Sequence, residues 1–263
     1  MPLSVPASRL RTAVRRTMNA VLRPLGIAIG ARSVLERGQR ATYRGTLDHA
    51  KRVGFAPRTV IDVGVADGTF ALYEAFPEAR LVLIEPAEEA RPHLEALAAR
   101  FPRVEYVMAA AAESPGRVVL NVHRDIARIS RYWESDYVPA AVTAREVAAV
   151  TLDQVRRDRN LEAPILLKID VQGSELDVLR GAQQTLADTE YVILETSLFE
   201  FFRGGPLLSD VVAYMRDRDF VPYDVVGIHY RPLDGALSLI DVVFVRASGR
   251  FRQTHRFRAE LLR

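Results

Sequence analysis

The sequence predicts an α/β protein: a doubly wound sheet, mostly parallel, with an antiparallel last strand and a helical extension ahead of it. Three observations predict this. Short runs of β-branched and aliphatic residues recur at 59–65, 81–86, 104–112, 165–170 and 191–196. Stretches of helical period separate most of them. Two strand-like runs, 220–226 and 239–245, then follow one another with no helix between, which reads as a closing antiparallel pair.

The elements follow in order. Residues 8–22 read as a helix, with Leu10, Val14, Met18, Val21 and Leu22 on one face and Arg9, Arg11, Arg15 and Arg16 largely off it. Pro24 and Gly26 end it. A second helix, 46–53, leads to Gly54 and Pro57. The strand TVIDVGV (59–65) is followed by Ala66-Asp67-Gly68 and a helical stretch to Phe76. LVLIEP (81–86) is the second strand, and a helix over 88–100 follows it. VEYVMAAAA (104–112) reads as the third. Residues 113–150 are less regular, with strands expected at 118–122 and 146–152 and a loop over 125–146 that carries Tyr132, Trp133 and Tyr137. Aromatics on a loop over a cleft suit a sugar face or an acyl chain, and equally suit anchoring the loop. ILLKID (165–170), a helix over 174–186, YVILET (191–196) and a helix over 208–218 complete the pattern. The domains expected are a basic helical extension (1–45), the α/β domain (46–246) and a basic tail (247–263).

Composition limits the function. At 49% hydrophobic and 26% charged residues the 263-residue chain has globular, not disordered, composition. There are no cysteines, which removes disulfides, thiolate metal sites and cysteine nucleophiles, and makes a reducing, cytoplasmic setting the expectation. No signal peptide is expected. The net charge of +3 conceals an asymmetry. Residues 1–44 hold nine arginines against one acid and residues 246–263 six against one, which leaves the middle of the chain at −10. An acidic middle argues against nucleic acid as partner, because phosphates need a basic face over the site. The basic helix over 8–22 fits peripheral contact with an anionic membrane, at the inner face.

The turn after the first strand suggests a ligand. A glycine-rich turn there lets a ligand approach the backbone. Gly64 and Gly68 are present, but position 66 is alanine and position 69 threonine, so the three-glycine dinucleotide pattern is absent. Asp62 and Asp67 would repel a pyrophosphate and tolerate a cation. S-adenosylmethionine carries an ammonium and a sulfonium and no phosphate, so the charge favours it over NAD. Glu85 lies 21 positions after Gly64 at the end of the second strand, where an acid accepts hydrogen bonds from two ribose hydroxyls. Small residues at 109–112, Ala110 and Ala111 among them, leave room for a flat base.

Lys168 and Asp170 alternate with Leu167 and Ile169, which puts both on one side of their strand. A charged pair inside an apolar strand is costly unless paired or functional. Asp170 stands at the carboxyl end, where open α/β sheets bind ligands.

These motifs carry a resemblance. GFAPRTVIDVGVADGTF (54–70), LVLIEP (81–86), LLKIDVQGSELDVLRGA (166–182), YVILETSLF (191–199) and LSLIDVVFVR (237–246) resemble the FkbM-type S-adenosylmethionine-dependent methyltransferases. The resemblance spans roughly residues 46–246. It implies the class I methyltransferase, Rossmann-like fold with seven strands. It also implies methyl transfer to a hydroxyl of a sugar, a glycolipid or surface glycan, or a polyketide-type metabolite. Ala66 stands where many relatives carry asparagine. Asp170 is the first candidate base, Glu195 the second, with Lys168 beside them; Glu175, His123 and His229 are outsiders. Asp170 and Glu195 also form a carboxylate pair of the kind that holds Mg²⁺, with no ligand set fixed by spacing. The competing reading is a non-catalytic nucleotide- or S-adenosylmethionine-binding module docked at membranes.

One measurement addresses the basic helix. Sedimentation with anionic vesicles is expected to fall with salt and on deleting residues 1–30, at about 1 kcal/mol per basic residue near the surface. Equally weak sedimentation with anionic and neutral vesicles would make residues 8–22 a packing element.

Overall fold

A computed structural model of the chain describes residues 40, 42–123, 130 and 142–256. The stretch 8–22 and Tyr132, Trp133 and Tyr137 lie outside the described residues, as does the final part of the basic tail.

The described chain opens with helix α1 (Tyr43–Arg52), followed by β1 (Thr59–Val63), α2 (Phe70–Ala75) and β2 (Arg80–Ile84). A 3-10 turn, Glu88–Ala90, leads into α3 (Arg91–Arg100), then β3 (Val104–Val107) and β4 (Ala110–Ala111). β5 (Gly116–His123), β6 (Val142–Val150), α4 (Leu152–Asp158) and β7 (Ile165–Ile169) come next. α5 (Glu175–Arg180), α6 (Gln183–Ala187), β8 (Thr189–Ser197), α7 (Leu208–Arg216), β9 (Phe220–Tyr230) and β10 (Leu237–Arg246) complete it.

Seven strands form one sheet in the order β3-β2-β1-β7-β8-β10-β9. β1 pairs in parallel with β2 and β7, β2 with β3, and β7 with β8. β10 runs antiparallel to both β8 and β9. This is the Rossmann-like sheet that the resemblance implies, with its last strand inverted. The order reverses at β1, since β2 lies on one side of it and β7 on the other. The carboxyl ends of β1 and β7 therefore open onto a crevice, where such sheets bind ligands.

Alternation along the strands splits the core in two. Ile61, Leu167, Ile169, Val192 and Leu194 pack against Leu152 and Val155 of α4, Val178 and Leu179 of α5, and Val211 and Met215 of α7. Val60, Leu166, Tyr191, Ile193 and Val243 face Leu47 of α1, Leu72 and Tyr73 of α2, and Leu94 and Leu97 of α3. Phe251 also joins this second face, edge-on to Phe55 and Tyr223 and tilted against Tyr191. Residues 247–256 are thus partly core rather than tail. Among the described residues no helix is long and apolar enough to cross a membrane.

The structure departs from expectation in three places. The run 104–112 is not one strand. β3 is the edge of the main sheet, and Ala110 and Ala111 leave it to pair with Ala149 and Val150 of β6 in a second sheet, ordered β4-β6-β5. The strand expected at 146–152 begins earlier, at Val142, and is followed by α4, a helix not anticipated. Its signal is Thr151, whose hydroxyl accepts from Gln154 N at 3.0 Å. The helix expected over 174–186 is broken at Gly181 into α5 and α6. The Gly181 carbonyl accepts from Asp153 N at 3.0 Å rather than continuing a helical ladder. A side chain there would meet the Ala112 carbonyl oxygen, 2.1 Å from the position of a Cβ.

Gly181→Ala is therefore expected to force the α5–α6 break away from β4, costing about 1–3 kcal/mol. Thermal unfolding checks it, at about 2–4 °C per kcal/mol for a chain of this size. An unchanged midpoint would mean that β4 yields freely.

Candidate active site

A cavity of about 350 Å³ opens at the switch point. It is lined by the end of β1 (Val63, Gly64, Ala66), the end of β2 (Ile84, Glu85) and the alanines 110–112. Asp170, Gln172 and Ser174 line it from the loop after β7, with Glu195 from β8. Its size and mixed lining suit a small organic ligand held by a few polar groups.

The turn after β1 is built for close approach. Gly64 has φ +77°, and a Cβ on it would lie 1.7 Å from the Asp170 carbonyl oxygen. Only glycine lets the ends of β1 and β7 touch in this way. Ala66 is also left-handed, at φ 47°, where asparagine is at less cost than alanine. Its N–H donates to Glu85 Oε2 at 3.0 Å, while Ala87 N donates to Oε1 at 2.9 Å. Burial raises the Glu85 carboxyl above its ordinary range, and these backbone donors oppose the shift. The Val65 N–H is a third backbone donor to this carboxylate, whose roughly four acceptor sites leave room for a hydroxyl beside the three.

Lys168 is buried on the same face of β7 as Asp170. Its Nζ lies 3.3 Å from Asp62 Oδ1, its cross-strand partner on β1, and 3.4 Å from Asp170 Oδ2. Burial would lower the ammonium pKa, but Asp62 and Asp170 more than offset it and hold the group charged. Asp62 Oδ2 accepts from the Tyr73 hydroxyl at 2.5 Å, and its Oδ1 meets the ammonium without hydrogen-bond geometry.

Asp170, Glu195 and Asp241 sense this ammonium, and Glu175 senses Asp170. Gln172 Nε2 donates to Asp170 Oδ1 at 3.0 Å and to Glu195 Oε2 at 2.8 Å. Burial, then Asp170, Asp241 and Glu175, push the Glu195 carboxyl far above its ordinary range. Burial raises Glu175 to about 7 and Asp241 to about 6, the latter with repulsion from Asp170. Glu175 Oε1 accepts from Gly173 N at 2.9 Å. Asp241 faces Glu195 across the β8–β10 pairing, and Gly227 of β9 makes space for it. Gly227 has φ +54°, and a Cβ on it would sit 1.8 Å from Asp241 Oδ2.

Of the residues singled out from sequence, Gly64, Glu85, Ala110, Ala111, Asp170 and Glu195 line the cavity. Asp62 and Lys168 lie beneath it as a buried pair, and Asp67 is exposed on the turn. Gly68, at φ +108°, faces Leu97 rather than the cavity. His229 is exposed on β9. Sequence reasoning did not single out Gln172 or Ser174 for the cavity. The Ser174 hydroxyl, in a residue only 7% exposed, has no hydrogen-bond partner among the described residues.

Among the described residues the donor set does not fit Mg²⁺. Among the described residues no three His, Asp or Glu side chains group as metal ligands. An amide N–H donor also occupies the space between Asp170 and Glu195 that a cation would need.

Removing the ammonium should unfold the site from below. Lys168→Met is expected to cost about 3–5 kcal/mol, because Asp62 is left buried and without its cation. Denaturant unfolding measures it; a loss under about 1 kcal/mol would show that Tyr73 alone sustains Asp62.

Comparison with known proteins agrees with the geometry. A family model described as Methyltransferase FkbM domain matches residues 62–222, more than half of the chain. A curated relative, 2-O-methyltransferase NoeI of Sinorhizobium fredii, is 25% identical over 200 residues, covering 68% of this chain and 78% of that protein. Among solved structures, a methyltransferase FkbM from Methylobacillus flagellatus KT superposes with a TM-score of 0.49 at 16% identity, covering 78% of this chain. This chain spans about half, 49%, of that solved chain. A 1,6-didemethyltoxoflavin-N1-methyltransferase from Burkholderia thailandensis gives a TM-score of 0.42 at 15% identity, covering 94% of this chain and 92% of that one. The chain belongs to the FkbM methyltransferase family.

Proposed function

We propose that this methyltransferase transfers the methyl group of S-adenosylmethionine to a hydroxyl of a sugar, a glycolipid or surface glycan, or a polyketide-type metabolite. The observation that carries the reading is one cavity bounded by Gly64, Glu85, the alanines 110–112 and Asp170. The name of the 25%-identical relative, a 2-O-methyltransferase, supports oxygen as the acceptor atom. The sugar and metabolite classes rest on the family resemblance.

The residues fit the cofactor. Glu85 keeps acceptor capacity for a ribose hydroxyl beside its backbone donors, Gly64 leaves the backbone open, and Ala110 and Ala111 leave a flat space. When bound, S-adenosylmethionine supplies an electrophilic methyl group. The protein's task is then to position the acceptor and remove one proton. Asp170 takes the proton that the hydroxyl loses, its carboxylate facing the cavity and steadied by Lys168 at 3.4 Å. Glu195, raised above its ordinary range by burial and by Asp170, stands beside it as a hydrogen-bonding wall tied to Asp170 through Gln172. Lys168 acts from beneath, setting the charge of Asp170.

Two measurements test this. Calorimetry should show binding of S-adenosylhomocysteine, weakened about 10- to 100-fold in Glu85→Ala through lost charge-assisted hydrogen bonding. Tight NAD binding with no response to S-adenosylhomocysteine would sink the cofactor reading. Labelled S-adenosylmethionine offered with a panel of methyl glycosides should give methyl ethers, and Asp170→Asn should slow this by about 10²–10⁴-fold. Near-normal turnover in Asp170→Asn would pass the role of base elsewhere.

A further inference from the structure

Gln172 stands out among the cavity residues for its backbone as well as its contacts. It adopts φ 53°, a left-handed conformation that residues other than glycine and asparagine seldom take. Asparagine suits that backbone better but is one methylene shorter. The strained glutamine instead delivers its amide nitrogen to two carboxyl groups on neighbouring strand ends, Asp170 Oδ1 at 3.0 Å and Glu195 Oε2 at 2.8 Å. Its own carbonyl oxygen accepts from Ser130 Oγ at 2.5 Å, so the backbone is held from the opposite side. With Lys168 on Oδ2, both oxygens of Asp170 have a fixed donor, and the remaining lone pairs face the cavity.

We propose that Gln172 is a positioning residue: its side-chain amide ties Asp170 to Glu195 and holds the Asp170 carboxylate in the orientation that accepts the acceptor's proton. The proposal rests on the reading of Asp170 as base. The physical reason for such a clamp is the local charge. Asp170 is faced by Lys168 from its own strand, Glu195 from β8, Asp241 from β10, Glu175 at the start of α5 and Tyr43 of α1. Asp241 in turn faces His229. In this crowd of acids a carboxylate turns away from its neighbours unless a donor holds it. A donor to the ionised form also favours that form, so its loss moves protonation to higher pH.

The test uses the full chain with S-adenosylhomocysteine bound. Aspartate labelled with ¹³C at the side-chain carboxyl gives a resonance for Asp170, assigned by its loss in Asp170→Asn. In Gln172→Met, of similar length but without the donor, the Asp170 titration midpoint should rise by about one pH unit. Affinity for S-adenosylhomocysteine should stay within about threefold of wild type. With the methyl glycoside panel, turnover should fall about 10- to 100-fold at neutral pH, with the acidic limb of kcat displaced upward and KM for S-adenosylmethionine little changed. Gln172→Asn keeps an amide and tolerates the backbone but falls short of the bridge; it should show the same displacement, and it decides the matter if Gln172→Met does not fold. Should neither fold, Gln172 is a structural residue and the proposal fails. An unmoved midpoint in a folded variant overturns it. So does a Gln172→Met loss of equal size in wild type and in Asp170→Asn, since a residue acting through Asp170 has no further effect once the carboxylate is gone. Near-normal turnover of Asp170→Asn overturns the base reading itself, while a moved midpoint in Gln172→Met would still report the clamp.

Discussion

An ammonium buried in the middle of a parallel sheet costs several kcal/mol unless carboxylates meet it. Lys168 occupies such a place, with Asp62 beside it on β1 and Asp170 just beyond it on β7. Much of the surrounding chemistry follows. Asp62 needs a second partner, and Tyr73 of α2 supplies a hydroxyl, which fixes α2 against the sheet. Asp170 is drawn to the rim of the cavity with its charge compensated from below. Glu195 and Asp241 also sense the same ammonium, but one positive charge cannot sustain four carboxylates. The carboxyls of Glu195 and Asp241 are therefore raised above their ordinary ranges.

The cavity owes its position to chain topology and its shape to glycine. Strand order reverses at β1, which parts the loops that follow β1 and β7. Gly64 then lets the two loops touch again at one point, its Cα against the Asp170 carbonyl. The ligand space therefore has a rigid floor. Glu85 forms one wall by drawing in two backbone N–H groups, and those bonds fix the turn at Ala66 as much as they orient the carboxylate.

The architecture was largely legible in the sequence, because buried parallel strands write themselves as uninterrupted aliphatic runs: ILLKI and TVIDV are recognisable even with a charge inside each. The positions of Gly64, Glu85 and Asp170 followed from strand ends alone. The failures share a cause. Ala110 and Ala111 are fit for either sheet, and only the geometry of the edge strand sends them to β6. The α5–α6 break depends on the Ala112 carbonyl, far away in sequence. Asp62 and Lys168 read as candidates for contact with a ligand because alternation gives a face but no depth; the cavity ends above them. Gln172 was missed because its role needs both a left-handed backbone and two acids brought together from different strands.

Gly227 and Asp241 carry a consequence for how this sequence can change. The carboxylate of Asp241 fills the volume that any side chain at position 227 would claim, and it can do so only because the backbone there is left-handed. Position 227 therefore cannot gain a side chain unless 241 yields space. A larger residue at 227 evicts the acid, and a shorter one at 241 leaves a hole beside Glu195. Position 227 is thus closed to any side chain while Asp241 stands, whereas the charge at 241 can be removed in place, since asparagine has the same shape.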